Sequence, residues 1–403
     1  MAIDTLGANA LASNSVTTAK IAADAVTSAK IPAGAVVASD VADGSVTTAK
    51  LADNAIHGRR NIIINGAMSV SQRATSATGV GGNASYPTID RFRQNTSNTA
   101  GRFTMSQVAV TDLPGFANAL KLECTTADTS IASNELGIIM QRFEGQDLQR
   151  LKKGTSSAES VTVSFYVKGN ASATYTLELA DNDNNRQISQ TFSVTTSWNR
   201  VSLTFAGDTS GALGDDNGNS LELNFWIHAG SNFNSGTLST TWTSTTNTNR
   251  ASSSATSFFD STNRTLEITG LQMELGSQST PFEHRSFADE LAACQRYYHK
   301  IAADSAYSTL GTAALSTATV STIYPFAGFN LRAVPTLESS GVSTFLLQCN
   351  NANEAVSSLA INGHASNQVP VCTCNHDSNT AGFAGSLIAN NNASAYIAFS
   401  SEL

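Results

Sequence analysis

In the run LELNFWIHAG, Leu221, Leu223, Phe225 and Ile227 alternate with Glu222, Asn224, Trp226 and His228. An extended backbone therefore gathers the second set on one face. An indole offers a flat apolar surface to the C–H face of a sugar ring, while a carboxylate, an amide and an imidazole can take its hydroxyls. Glu222, Asn224, Trp226 and His228 are read as a glycan-binding face, with Trp242 and Phe233 of the following loop extending it. The same alternation also suits a face packed on a neighbouring subunit, where aromatic residues are equally expected.

Other clusters offer less. Cys372, Cys374 and His376 of CTCNH share one strand face, but no second ligand pair stands at metal-site spacing. They are read as reduced, structural groups. Asp181, Asp183 and Asn185 of DNDNNR place oxygens at alternate positions, without the later Gly and bidentate Glu of a calcium loop. A solvated hairpin turn is expected there, and no metal or cofactor is assigned.

The motifs GxSxG, GxxxxGK, HExxH and paired CxxC are missing. Glu267 and Glu274 in TLEITGLQMEL differ by an odd number, so an uninterrupted strand would aim them at opposite faces. That spacing argues against a two-carboxylate glycosidase centre. The chain is read as not an enzyme.

Only 13% of the 403 residues are charged, about half the usual share. A surface of hydroxyls, amides and small residues suits a rigid β structure with much area buried between subunits. The net charge of −8 disfavours nucleic acid and acidic membranes as partners. No apolar run is long enough to insert in a membrane, and MAIDTLGANALASNS lacks the features of a signal peptide. The five cysteines show no disulfide-framework spacing, which fits assembly in a reducing cytoplasm.

Residues 1–57 form a repetitive segment, the stem. From Val16 the chain repeats in tens: SVTTAKIAAD, AVTSAKIPAG, AVVASDVADG, SVTTAKLADN. Its apolar positions, Val16, Ile21, Val26, Ile31, Val36, Val41, Val46, Leu51 and Ile56, are spaced by five, which neither helix nor strand explains. Each unit presents a small apolar tooth that it cannot bury alone. The leading reading is three chains covering one another's teeth; a single-chain solenoid and a plain linker are the others.

Residues 58–287 carry recurring alternation, as in VTVSFYVKG and RVSLTF, without helical periods between. Many half-buried strands of this kind predict an antiparallel jelly-roll β-sandwich. Ser286 and Asp289 predict a helix cap, and Phe287, Leu291, Cys294 and Tyr298 form a seam over a linking helix at 288–300. That helix joins either a three-copy bundle or its own sandwich. Residues 301–403 read as a C-terminal β-sandwich tip, and its loops are the favoured receptor-binding region. The fold class is mainly β throughout.

NIIINGAMSVSQR, TIDRFR, QRFEGQDL, VTVSFYVKG, SWNRVSLTFAGD and above all ITGLQMELGSQSTPFEHRSFADELAACQRYYHK resemble a tail-fibre family of tailed bacteriophages. The likeness spans about residues 58–300; FNLRAVPTL and AYIAFSSEL add short, unspecific matches. It implies a jelly roll like a carbohydrate-binding module, a distal receptor-binding domain, a homotrimer and other phage tail proteins as partners of the stem. It further implies a virion location, assembly in the host cytoplasm, and attachment to host polysaccharide or lipopolysaccharide. Alternatives are a fibre-borne polysaccharide depolymerase and a bacterial glycan-binding adhesin. Gly270, Gln272, Glu274, Gly276, Thr280, Pro281 and Phe282 in the strongest motif look structural.

Overall fold

The computed structural model describes residues 59–403 except 327, 329 and 351, with scattered positions between 21 and 41. The chain divides into two compact units, Met1–His57 and Gly58–Leu403. In the first, five of the nine apolar teeth are described, and Ile21, Val26, Ile31, Val36 and Val41 are 37–56% exposed in the single chain. The repeat has a backbone counterpart: Lys30 N–H donates to Thr27 O and, ten residues on, Asp40 N–H donates to Val37 O, both at 2.9 Å. The other teeth lie outside the described residues.

The second unit begins with two six-stranded antiparallel sheets face to face. One runs in the order Ser76–Val80, Arg102–Ala109, Asn118–Thr126, Thr265–Leu275, Val161–Gly169, Asn199–Phe205. The other runs Thr243–Ser244, Arg186–Val194, Ala173–Asp181, Asn219–Ala229, Leu136–Glu144, Arg93–Ser97. Alternation explains the layering: Val163, Phe165 and Val167 of one sheet meet Leu221, Leu223, Phe225 and Ile227 of the other in one core. Phe165 stands edge-on to Phe192 at 5.1 Å and to Phe225 at 5.2 Å between ring centres, a geometry that aromatic quadrupoles favour.

The strand Thr265–Leu275 corrects one expectation. Its pairing with Val161–Gly169 shifts register between Thr269 and Gln272, where Gly270 takes a φ of +61°. A side chain at Gly270 would meet the Phe116 ring at 2.7 Å, so glycine is required there for two reasons. The bulge reverses the parity of the strand. Glu267 lies opposite Lys168 and Glu274 opposite Thr162, so both carboxylates share one sheet face after all. Their partners are six residues apart along one strand, roughly 20 Å, too far for a catalytic pair. Glu274 instead accepts from Thr280 Oγ1 at 2.6 Å and Gln272 Nε2 at 2.7 Å, which makes this motif a structural clasp.

Ser286 caps the helix Phe287–Gln295 by accepting from Asp289 N–H at 3.1 Å. Of the proposed seam, Cys294 is buried and Phe287 is exposed. Tyr298 opens the strand Tyr298–Ala302. The helix docks on its own chain through Glu290, whose Oε1 accepts from Asn65 N–H at 2.6 Å.

The C-terminal portion is not a sandwich. Six strands close into a barrel in the order Thr309–Leu315, Val320–Pro325, Cys372–His376, Ala352–Ile361, Phe345–Cys349, Ala384–Ala389. A three-stranded sheet of Tyr298–Ala302, Tyr396–Ser400 and Thr336–Ser339 accompanies it. Alternating strands satisfy either architecture; closure leaves no unpaired edge within the barrel. The last residues clamp this portion to the sandwich. Glu402 pairs with Arg73 at 3.2 Å and with buried Arg91, while Leu403 O accepts from Arg142 Nη1 at 2.8 Å and Tyr86 OH at 3.0 Å. Arg91 also lies 3.4 Å above the Tyr297 ring.

Candidate functional site: a roofed cavity on the second sheet

Asn219–Ala229 is a central strand, paired to Leu136–Glu144 on one side and Ala173–Asp181 on the other. Alternation does place Glu222, Asn224, Trp226 and His228 on its outer face. That face is not open, and this corrects the expectation of an exposed platform. Trp226 is 1% exposed, and Asn224, His228 and Glu222 are buried as well. The chain after Ala229 folds back as a roof, with a helical turn at Ser231–Asn234 and a tight turn at Asn247–Asn249.

Glu178, on the neighbouring strand, holds the roof down. It accepts from Arg250 Nε at 2.8 Å and Nη2 at 2.9 Å, from Trp226 Nε1 at 2.8 Å and from Asn224 Nδ2 at 3.0 Å. A buried carboxylate needs such a full set of donors. The Arg250 guanidinium lies 5.0 Å from the Trp226 ring centre and Phe233 lies 5.4 Å from it. Ile138, Met140 and Ala251 complete a small second core around the indole.

His228 ties a second point of the roof. Its Nδ1 lies 2.8 Å from Ser257 Oγ and its Nε2 lies 2.9 Å from Glu135 Oε2. A carboxylate accepts only, so Nε2 carries the proton and Nδ1 accepts from the serine. Burial lowers the His228 pKa below its usual 6.5, outweighing the hydrogen bond that the ring donates to Glu135. Serine, imidazole and carboxylate in line resemble an acyl-transfer relay. Here the serine meets Nδ1 rather than Nε2, and its oxygen already accepts from Phe259 N–H at 3.1 Å. The chain of bonds joins roof, strand and loop.

A cavity of about 190 Å³ remains beneath the roof, lined by Ile131, Trp226, His228, Asn234, Ser253 and Ser257 among others. Ile131 stands exposed at its rim. The Trp226 indole, the His228 imidazole, several hydroxyls and an amide line it, and no carboxylate, ammonium or guanidinium does. That chemistry suits a single uncharged sugar unit.

The pKa of His228 has a measurable consequence. As pH falls through about 6.5, the unfolded chain takes up a proton that the folded imidazole resists, so stability falls with acidification. The drop in melting temperature between pH 7.5 and 5.5 is expected to shrink in His228→Gln. An unchanged drop would show that other groups set it.

The remaining candidates separate from this site. Glu222 pairs with Arg142 at 2.8 Å, further along the same face, and Arg142 also holds the C-terminal clamp. Trp242 donates to Ala206 O at 2.7 Å, packs against the main core and lies 5.2 Å from Lys153 Nζ. The DNDNNR run is a turn between Asp181 and Arg186, with Asn185 at a φ of 51°. Asp181 accepts from Lys153 Nζ at 2.5 Å, and that ammonium also meets Asp208 at 3.0 Å and the carbonyls of Ser210 and Gly211 at 2.9 Å. Cys372 and Cys374 are buried in the barrel core, and burial pushes their thiols up to about 12 and about 11. His376 instead meets Ser321 Oγ at 3.0 Å.

Sequence reasoning missed Glu178, Glu135, Arg250 and Ser257. Glu178 carried a signal, because in YTLELA it alternates with Leu177 and Leu179 and so points outward. The other three come from loops, where no period marks them.

No protein-family model matches the chain, and no curated protein matches it in sequence. Among solved structures it is similar to the enzymatically active domain of bacteriophage CBA120 tailspike protein 4, with 10% identity and a TM-score of 0.28, over 54% of this chain and 21% of that one. The chain thus spans about a fifth of that domain's length. It is also similar to the family 11 carbohydrate-binding module from Clostridium thermocellum in complex with a mixed-linked tetrasaccharide, with 11% identity and a TM-score of 0.26, over 52% of this chain and 99% of that one. A third is the module TmCBM61 in complex with β-1,4-galactotriose, with 10% identity and a TM-score of 0.27, over 54% of this chain and 99% of that one.

Proposed function

We propose that this chain is a structural protein of a tailed-phage virion, a trimeric fibre that attaches the particle to a host surface polysaccharide or lipopolysaccharide without cleaving it. In this reading the fibre assembles in the host cytoplasm and its stem meets other tail proteins. The observation that carries the binding half is the uncharged, aromatic-floored cavity beneath the roof. The fibre half is supported by the motif resemblance and by apolar teeth left exposed at a spacing of five in the single chain. Weak sites repeated three times on one particle would gain by avidity.

The test fills the cavity from its mouth. Ser253 is exposed and lines the cavity, so Ser253→Trp occludes it while leaving the core untouched. Binding of labelled fibre to host polysaccharide is expected to fall about tenfold or more, the loss of one sugar unit from the cavity, with the melting temperature unchanged. Binding as strong as that of the wild type would remove the cavity from the proposal. In the same preparations, light scattering should give three times the chain mass of 42.1 kDa, and the polysaccharide should keep its length. Reproducible shortening would make the protein a depolymerase.

A further inference from the structure

A second concavity, remote in chemistry from the first, runs along the start of the sandwich. It measures about 620 Å³, and its lining includes Arg59, Arg150, Arg285 and Arg296 against a single acid, Asp147. In a chain with 23 basic and 31 acidic residues this is a local reversal of charge.

The positive charge is only partly answered. Arg296 is neutralised by Glu144 at 2.6 Å, while Arg285 has Glu283 and Glu290 no nearer than 3.7 and 3.6 Å. Arg150 spends its donors on backbone, Arg59 O at 2.8 Å and Arg60 O at 3.3 Å. Arg59 pairs with no carboxylate among the described residues. Adjacent Arg60 donates to Pro281 O at 3.2 Å, yet its Nε and Nη1 are buried without a partner, as is Arg285 Nε. Burial lowers the pKa of Arg150, with a smaller push from Arg285, against the pull of Glu283 and Asp147.

The rest of the lining suits a sugar. Gln146, Gln149 and Asn61 offer amides for hydroxyls, and Ile62, Ile64 and Ala293 supply an apolar surface. Guanidinium groups are planar forks that match carboxylate and phosphate oxygens. Tethering of Arg150 and Arg285 to backbone carbonyls fixes those forks in advance, which lowers the ordering cost of binding.

We infer that this arginine groove is a second glycan subsite, selective for an acidic polysaccharide bearing uronate or phosphate groups. The inference rests on the reading of the chain as a glycan-binding fibre and adds the charge class of the ligand. An acidic segment of another copy of the chain is the competing occupant.

The test compares polygalacturonate with its fully methyl-esterified form, the same backbone without the charge, using full-length protein and adding inorganic phosphate as competitor. Wild type should bind the acid form at least about tenfold more tightly, with the preference shrinking as salt rises. Arg59→Glu, at an exposed side chain, and Arg150→Gln should each abolish the preference. Arg59→Glu should do so with no change in melting temperature, which separates lost binding from lost folding. Competition by free phosphate would assign the forks to phosphate-bearing glycans, and its absence to uronates. Equal binding of the two polymers, unaffected by either variant, would overturn the inference while leaving glycan binding intact. Binding of host polysaccharide but of neither polymer would overturn it too. Failure to bind any glycan would sink the underlying reading as well. A trimer that falls to a monomer in Arg59→Glu would show that the groove seats another copy.

Discussion

Replacing Glu402 with alanine is expected to be the most damaging single change outside the main core. Arg91 is 1% exposed and would stay buried after losing its carboxylate, and Arg73 would lose the same partner. Removing one member of a buried ion pair typically costs about 3–5 kcal/mol, because the other charge is left uncompensated. The Tyr297 ring beneath Arg91 and the carbonyl of Arg142 beside it remain and soften the loss. Since Glu402 belongs to the segment that clamps barrel to sandwich, calorimetry should show one transition of Gly58–Leu403 in the wild type and two in Glu402→Ala. Arg91→Met with Glu402→Ala should recover part of the loss by removing both charges together. A melting curve for Glu402→Ala that matches the wild type would refute this account of the clamp.

Lys153→Met should have the second largest effect. Its ammonium sits among four oxygens, from Asp181, Asp208, Ser210 and Gly211, and Lys153 lines a small apolar void together with Trp242 and Leu179. Methionine keeps the side chain's bulk and removes the charge. Asp181 is then left buried without its cation, again about 3–5 kcal/mol, which is read as a fall in denaturation midpoint. Asp208 retains Arg186 at 2.6 Å and suffers less.

The pH dependence of that variant is informative. Burial alone would raise the Asp208 pKa, but the hydrogen bonds from Arg186 and Lys153 outweigh it and hold the value below 3.8. Its contribution is therefore fully present above about pH 4 and is lost as pH falls through the folded-state value. With Lys153 gone the folded value moves up, so this contribution shrinks and acid unfolding should begin at higher pH. Calcium offers a further check, because a hard cation accepts an all-oxygen cage. Added calcium should raise the midpoint of Lys153→Met and leave the wild type unmoved; no rescue would show that the cage collapses when the ammonium leaves.

Much of the fold was legible from residue order. Alternation of apolar and polar residues along Val161–Gly169 and Asn219–Ala229 identified the core faces, because side chains of a strand point to opposite sides in turn. The serine cap at Ser286 located the helix start, since the geometry of a cap is local. The same local logic failed where a single residue changed parity. The bulge at Gly270 moved Glu267 and Glu274 onto one face, and a period read along the strand has no means of seeing an inserted kink.

At the candidate site, the sequence by itself determined that Asn224, Trp226 and His228 share one sheet face, whereas the placing of Glu178 on the adjoining strand, facing the same way, was decided by the sheet pairing. Only the tertiary structure decided that this face is roofed. The contacts responsible join Glu178 to Arg250 over 72 residues and Glu135 to His228 over 93, distances at which no local period survives. Closure of the C-terminal strands into a barrel and the landing of Glu402 on Arg91, 311 residues away, are decisions of the same kind. Short-range order selects strand, turn and facing; which faces meet is settled by long-range packing and by the need of each buried charge for a partner.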